Sequence, residues 1–232
     1  MGRWYFIRHG QASLGSKNYD QLSELGMTQA RLLGEYFKTH EIHFDQVICG
    51  SQVRHKQTAH AFLSGYQSQI DTSSFTIMKE FNEFNFEAII KAYLNQHPDK
   101  QKDKYSDKAL FHLLKASLLS WSQDTLINDE ANSKALEESW SQFQHRVKNG
   151  LIKLQSDFQQ KDSLIFTSGG PIAQVVSQIL NIPASNCIEL NLSIQNTAIT
   201  QCVCQQDKIY LDNFNHLPHL QSPDTHSLRS FS

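Results

Sequence analysis

No apolar run in the 232-residue chain approaches the roughly 18 residues that a membrane span requires. The first apolar run, Trp4 to Ile7, arrives so early that it leaves no room for the charged lead and apolar core of a secretory signal. Cysteine is sparse. Cys49, Cys187, Cys202 and Cys204 fit no zinc spacing, and Cys202 and Cys204 share one face of an expected strand, badly placed to bond each other. All four read as reduced core thiols. An excess of charge is missing too: 21 basic against 23 acidic side chains leave a net charge of -2, which argues against a broad nucleic-acid surface but allows a local basic pocket. There is no internal repeat and no low-complexity segment. These absences describe a cytoplasmic protein whose partners include neither membrane nor nucleic acid.

What is present suffices for a core. With 39% hydrophobic and 19% charged residues, the chain is expected to form one α/β domain carrying an insertion. Trp4-Tyr5-Phe6-Ile7 reads as a buried strand that ends in Arg8-His9-Gly10. A polar loop, Gln11 to Gln21, leads to Ser23, an N-cap, with Glu24 in the first turn where a negative charge suits the helix dipole. Met27, Ala30, Leu33 and Phe37 recur at helical spacing and mark the face that packs on the sheet. Around Asp45 to Ser51 the pattern switches to a short apolar run, a second strand. Ser51 is then positioned to cap the helix bearing Arg54 and Thr58, and Gly65 to stop it.

Phe75 to Met78 reads as a third, shorter strand, running into a stretch from Lys79 to Glu87 in which acids alternate with aromatics. Residues 88–135 lack strand signals and read as a helical insertion over the sheet edge, with a solvated charge run from Asp99 to Lys108. In its second helix, Leu110, Leu114, Leu118 and Trp121 form an apolar stripe. The clearest helix runs from about Leu136 to Phe158, with Trp140, Phe143, Val147, Leu151 and Leu154 facing the core. Ser163 to Phe166 is a further strand. It breaks at Thr167-Ser168-Gly169-Gly170 before a helix in which Pro171 suits the first position, an arrangement that presents backbone N–H groups to an anion. Two strands, Thr197 to Val203 and Lys208 to Asn213, precede a polar tail, residues 221–232, that is expected to lack order. The fold class is therefore a three-layer α/β arrangement, a mostly parallel sheet flanked by helices, with the main domain over residues 1–220.

Three strand ends carry polar groups: Arg8-His9-Gly10, Ser51 to Arg54, and Thr167 to Gly170. If the strands are parallel and adjacent, those ends converge on one edge, where ligands of open α/β sheets collect. Two arginines, a histidine and free N–H groups there would suit a phosphoryl group.

Arg8-His9-Gly10, then Leu22-Ser23-Glu24-Leu25-Gly26 with Gln29-Ala30, then Ser51-Gln52-Val53-Arg54-His55-Lys56-Gln57-Thr58-Ala59, resemble the histidine phosphatase superfamily, the phosphoglycerate-mutase-like fold. Glu83 and the segment from Thr167 to Ile172 follow in the expected order, so the resemblance covers about residues 3–220 apart from most of the insertion. It implies that His9 is a nucleophile forming a phosphohistidine, and that Arg8 and Arg54 grip the phosphoryl oxygens. Glu83 would protonate the leaving oxygen and then assist water, with Glu80 and Glu87 as rivals. No metal or other cofactor is implied, and the partner is a phosphorylated small molecule or a phosphoprotein.

One position departs from the pattern. The family's second histidine corresponds here to Ser168, beside Gly169, and serine offers a hydrogen bond without charge. A charge-assisted contact is worth roughly 1.5–3 kcal/mol against about 1 for a neutral one, so phosphoryl transfer is expected to slow by one to two decades. The sequence thus implies a metal-independent phosphomonoesterase. The alternatives are a phosphate-binding pseudoenzyme that recognises a phosphorylated partner and, ranked lower, a phosphoglycerate mutase.

Overall fold

The computed structural model describes residues 1–13, 20–126 and 136–231. In chain order its main elements are β1 (Gly2–Arg8), α1 (Glu24–Thr39), β2 (Gln46–Cys49), α2 (Val53–Tyr66), β3 (Thr76–Ile77), α3 (Phe86–Gln96), α4 (Asp107–Ser122), α5 (Trp140–Phe158), β4 (Ser163–Thr167), α6 (Gly169–Leu180), α7 (Ala184–Ser193), β5 (Ile199–Gln205) and β6 (Lys208–His216). The strands form one sheet in the order β3-β2-β4-β1-β5-β6. β1 to β4 are mutually parallel, β5 runs antiparallel to β1, and β6 antiparallel to β5.

Alternation along β1 shows why two layers of helices are needed. Trp4 and Phe6 point into one core with residues of α3 to α7, while Tyr5 and Ile7 point into a second core with Leu33, Phe37, Ala59 and Phe62 of α1 and α2. β4 is buried along its whole length, as a central parallel strand covered on both faces must be. The three-layer α/β class is thus as expected from the sequence. The four cysteines are free and buried, and burial pushes the thiols of Cys49, Cys187 and Cys202 up to about 12.

Local departures have physical causes. Met27 lies 42% exposed, so the buried face of α1 is completed by Gly26, Gln29 and Gly34 instead. Gly65 does not stop α2. The helix continues to Tyr66 and ends at Gln67, which is left-handed (φ 57°). Gly65 serves the crossing of the two helices: a Cβ there would overlap the Arg31 carbonyl, and one at Gly34 would overlap the Phe62 carbonyl. Leu110 is exposed and Leu113 takes its place in the core. Residues 127–135, the end of the proposed insertion, lie outside the described residues, as do 14–19 of the loop after Gly10.

α5 starts at Trp140, later than the periodicity suggests, because Ser139 and Gln142 close a capping box. α6 starts at Gly169, placing Pro171 third rather than first. The segment after Leu220 is held in place rather than loose. Ser230 exchanges hydrogen bonds with Asn196, Gln29 donates to the Leu228 carbonyl, and Arg229 donates to the Leu220 carbonyl. Among the described residues no helix is long and apolar enough to cross a membrane.

The tight α1–α2 crossing makes a direct prediction. Gly65→Ala should destabilise the protein by about 2–3 kcal/mol, because the added methyl meets backbone rather than a flexible side chain. Urea unfolding measures it; an unchanged midpoint would mean that the helices do not cross as closely as described.

Candidate active site

The parallel ladders align the strand ends. Arg8 pairs with Thr167, and Cys49 with Phe166, so the three segments singled out in the sequence leave the sheet side by side. The His9 N–H donates to the Thr167 carbonyl (2.8 Å) and the Gly50 N–H to the Phe166 carbonyl (3.0 Å), extending the ladders one step beyond the strands. Gly10 and the first turn of α1 touch backbone to backbone. A Cβ at Gly10 would overlap the Gly26 carbonyl, and one at Gly26 the Gln11 carbonyl. That close approach is the physical reason for a glycine at both positions, and Ser23 caps α1 as expected by accepting from the Gly26 N–H (3.1 Å).

His9 is buried, and its Nδ1 lies 2.7 Å from the Gly10 carbonyl oxygen. A carbonyl can only accept, so Nδ1 carries the proton and Nε2 keeps its lone pair. Burial holds the His9 pKa well below 6.5, helped by the charges of Arg54 and Arg8 and by His55. The ring is therefore neutral at pH 7. Its backbone carbonyl accepts from Asn196 Nδ2 (3.0 Å), and the Gly10 N–H donates to Thr58 Oγ1 (3.1 Å).

Arg54 is buried at the start of α2. Its Nη1 binds Asp20 Oδ1 (2.8 Å) and its Nη2 binds Gln52 Oε1 (3.1 Å). Asp20 also accepts from the Val53 N–H (2.9 Å), so it caps α2, the role expected of Ser51. Ser51 is instead tied to Asn82, with its N–H donating to Oδ1 (2.7 Å) and its hydroxyl accepting from Nδ2 (2.8 Å). Arg8 donates from Nη1 to the Ile194 carbonyl, and its Nε lies beside Gly169.

Of the three acids, Glu83 is the one that faces this group. Its carboxylate accepts from the Gly170 N–H (3.2 Å), and Gln52 Oε1 accepts from the Glu83 N–H (2.9 Å). Burial raises the Glu83 pKa, outweighing the charges of Arg54 and Arg8 and the backbone hydrogen bonds that lower it. Glu80 instead pairs with Lys153 (3.6 Å), and Glu87 is exposed in the first turn of α3. Arg146 holds the loop carrying Glu83. It donates from Nη1 to the Glu80 and Asn82 carbonyls (2.9 Å each) and from Nε to Glu138 (2.9 Å). Phe84 packs beside it against Trp121 of α4 (4.9 Å between rings) and Phe143 of α5 (5.4 Å).

Ser168 occupies the N-cap position of α6 but makes no capping bond; its Oγ lies 2.7 Å from His55 Nε2 and 3.5 Å from Arg54 Nη2. Gly169 and Gly170 do follow the strand as anticipated, yet the Gly170 N–H is engaged by Glu83. Asp20, Gln52, Asn82, Arg146 and Asn196 escaped sequence reasoning, because polar residues in loops and helices carry no periodic signal. Only the nearness of Gln52 and Asn82 to motif residues pointed their way. Among the described residues no group of three or more His, Cys, Asp or Glu side chains could hold a metal ion.

The Arg8 and Arg54 guanidinium groups thus stand close to the buried, neutral His9 imidazole where the parallel strands end. The chain belongs to the histidine phosphatase superfamily (branch 1), whose family model matches residues 4–217. No curated protein matches its sequence significantly. Among solved structures it is similar to a phosphoglycerate mutase from Bacillus anthracis, at 20% identity over 94% of each chain with a TM-score of 0.64. It is also similar to a phosphoserine phosphatase mutant from Entamoeba histolytica in complex with phosphoserine, at 16% identity over 95% of this chain and all of that one, TM-score 0.66. A mycobacterial glucosyl-3-phosphoglycerate phosphatase with inorganic phosphate gives 18% identity, 95% and 100% coverage, and TM-score 0.62.

The buried imidazoles set the response to acid. His9, His55 and His219 all have lowered pKa values, that of His219 falling to about 3 through burial and the charges of His216 and Arg229. The unfolded chain takes up these protons near pH 6.5 and the folded chain refuses them, so stability present at neutral pH is lost as pH falls through that value. Each group contributes a slope of about 1.4 kcal/mol per pH unit. Glu83, with a raised pKa, acts in the opposite direction. The urea midpoint should therefore drop between pH 6.5 and 5, and His219→Asn should flatten the drop by about one proton's worth. A midpoint independent of pH there would contradict the buried neutral state.

Proposed function

We propose that the protein is a metal-independent phosphomonoesterase working through a phosphohistidine on His9. The observation that carries this reading is the His9 ring itself: buried, neutral, with Nδ1 fixed on the Gly10 carbonyl so that Nε2 is the nucleophilic atom. In the first step Nε2 attacks phosphorus, the bond from phosphorus to the ester oxygen breaks, and the Glu83 proton goes to that oxygen. In the second, water attacks the phosphohistidine, its proton returns to the Glu83 carboxylate, and the phosphorus–nitrogen bond breaks to free inorganic phosphate. Arg8, Arg54, Ser168 and Gly169 hold the phosphoryl oxygens, the guanidinium groups acting where charge spreads in the transition state. The raised Glu83 pKa supports its service as an acid near neutral pH. The substrate class is a phosphorylated small molecule or a phosphoprotein.

Ser168 motivates a second reading. It stands where the family pattern has its second histidine, and a site lacking that charge could bind a phosphorylated partner without turning it over. A mutase ranks lower, because Phe81, Phe84 and Phe86 surround Glu83 where mutases of the family carry a more basic stretch.

Turnover of p-nitrophenyl phosphate should fall by about 10³ or more in His9→Ala. Equal turnover in that variant rules out the phosphohistidine, and phosphate binding without wild-type turnover on a phosphoester panel supports the pseudoenzyme. Glu83→Gln should cost about 10²-fold with alkyl phosphates, whose leaving oxygen needs a proton. The same variant should lose far less with p-nitrophenyl phosphate, whose leaving group departs as a stable anion. Equal losses on both substrates would remove Glu83 from the acid role.

A further inference from the structure

We propose that His55 is a positioning residue, which donates from Nε2 to Ser168 Oγ and thereby turns the Ser168 hydroxyl proton toward the bound phosphoryl group. The inference rests on the reading of Ser168 as a phosphate contact. Its basis is the hydrogen-bonding capacity of one hydroxyl: one proton to give and two lone pairs to fill. Ser168 Oγ has His55 Nε2 at 2.7 Å and Arg54 Nη2 at 3.5 Å. A guanidinium only donates, so Arg54 takes one lone pair. The direction of the His55 contact then decides what the hydroxyl can offer a ligand.

The other side of the His55 ring settles that direction. Nδ1 abuts Gly50, where a Cβ would overlap it, and it has no hydrogen-bond partner among the described residues. His55 is fully buried. A proton on Nδ1 would be a buried donor with nothing to receive it, the rarer and costlier kind of orphan. Placing the proton on Nε2 leaves only a bare lone pair against Gly50. His55 therefore donates to Ser168, both lone pairs of Oγ are filled, and the hydroxyl proton is the group's only remaining offer.

A second feature agrees. A serine at an N-cap ordinarily accepts from its own helix, yet Ser168 makes no such bond to α6. Its hydroxyl is committed to His55 and Arg54 instead. With Arg54 and His55 polarising the oxygen, the proton it presents is a stronger donor than that of an isolated serine. His55 sits next to Arg54 in the first turn of α2 and is packed at 5.9 Å, ring to ring, from His9, so the pair belongs to the site without His55 touching a ligand.

The experiment compares Ser168→Ala, His55→Leu, His55→Asn, His55→Gln and the Ser168→Ala/His55→Leu double variant. Both the affinity for inorganic phosphate, by calorimetry, and kcat for p-nitrophenyl phosphate are measured. Ser168→Ala and His55→Leu should each weaken phosphate binding and lower kcat about tenfold, and the double variant should lose no more than either alone. Gln presents an N–H at the distance of Nε2 and should stay within about threefold of wild type, whereas Asn, too short, should behave like Leu. Independent, multiplying losses in the double variant overturn the proposal, as do equal effects of Asn and Gln. Should Leu prevent folding, the Asn–Gln contrast decides alone. Phosphate affinity is read without turnover, so an inactive wild type that binds phosphate with this pattern rejects the phosphatase reading and keeps the His55 role. A wild type that binds no phosphate rejects both.

Discussion

The parallel ladder between β1 and β4 is the constraint from which the site follows. It sets Arg8 opposite Thr167 and lets the next residue, His9, take the Thr167 carbonyl as its backbone acceptor. Because side chains alternate along a strand, a slip of one residue would send Arg8 and His9 to the wrong sides of the sheet. Trp4 and Phe6 in one core and Tyr5 and Ile7 in the other forbid that slip, since neither core accepts the other's side chains without loss. The apolar stripe before the motif is thus what fixes the motif in place.

Cations gathered in a buried pocket need compensation when no anion is bound. Asp20 supplies it to Arg54, and carbonyl oxygens of Ile194 and Gln52 take other guanidinium protons. The same cations and the same burial leave His9 neutral, while Glu83 is pushed toward its protonated form because desolvation outweighs the nearby positive charge. A neutral imidazole and a carboxyl with a raised pKa thus stand together, the pairing that the proposed reaction needs of its nucleophile and its acid. Rigidity comes from neighbouring elements: Arg146 clamps three backbone groups of the acidic loop through its contacts, and the aromatic packing of Phe84 on Trp121 brings α4 into the support of Glu83.

The strands, the clearest helices and the three polar strand ends were legible because each repeats a pattern: apolar runs, three-and-four spacing, or a motif beside a glycine. Gly10 and Gly26 were legible as motif members, though their reason, backbone touching backbone, needs both segments in space. The helix cap supplied by Asp20 was not legible, since it joins residues 33 apart through a loop with no periodicity. Met27 and Leu110 show the limit of spacing, which gives a helix its stripe but not the width of the surface that covers it. The ordered segment after Leu220 was misread for a related cause. Its polar composition suggested solvent, whereas its serine and backbone groups satisfy Asn196 and Gln29 inside the molecule.

That last set of contacts bears on the order in which the site can assemble. Asn196, which holds the His9 carbonyl, lies 187 residues downstream of it, and it is itself held by Ser230. β1 also sits between β4 and β5, both far downstream of it in the chain. His9 therefore leaves the ribosome well before the segments that enclose it. A chain cut before Asn196 would keep His9 but lose the side chain that holds the His9 carbonyl.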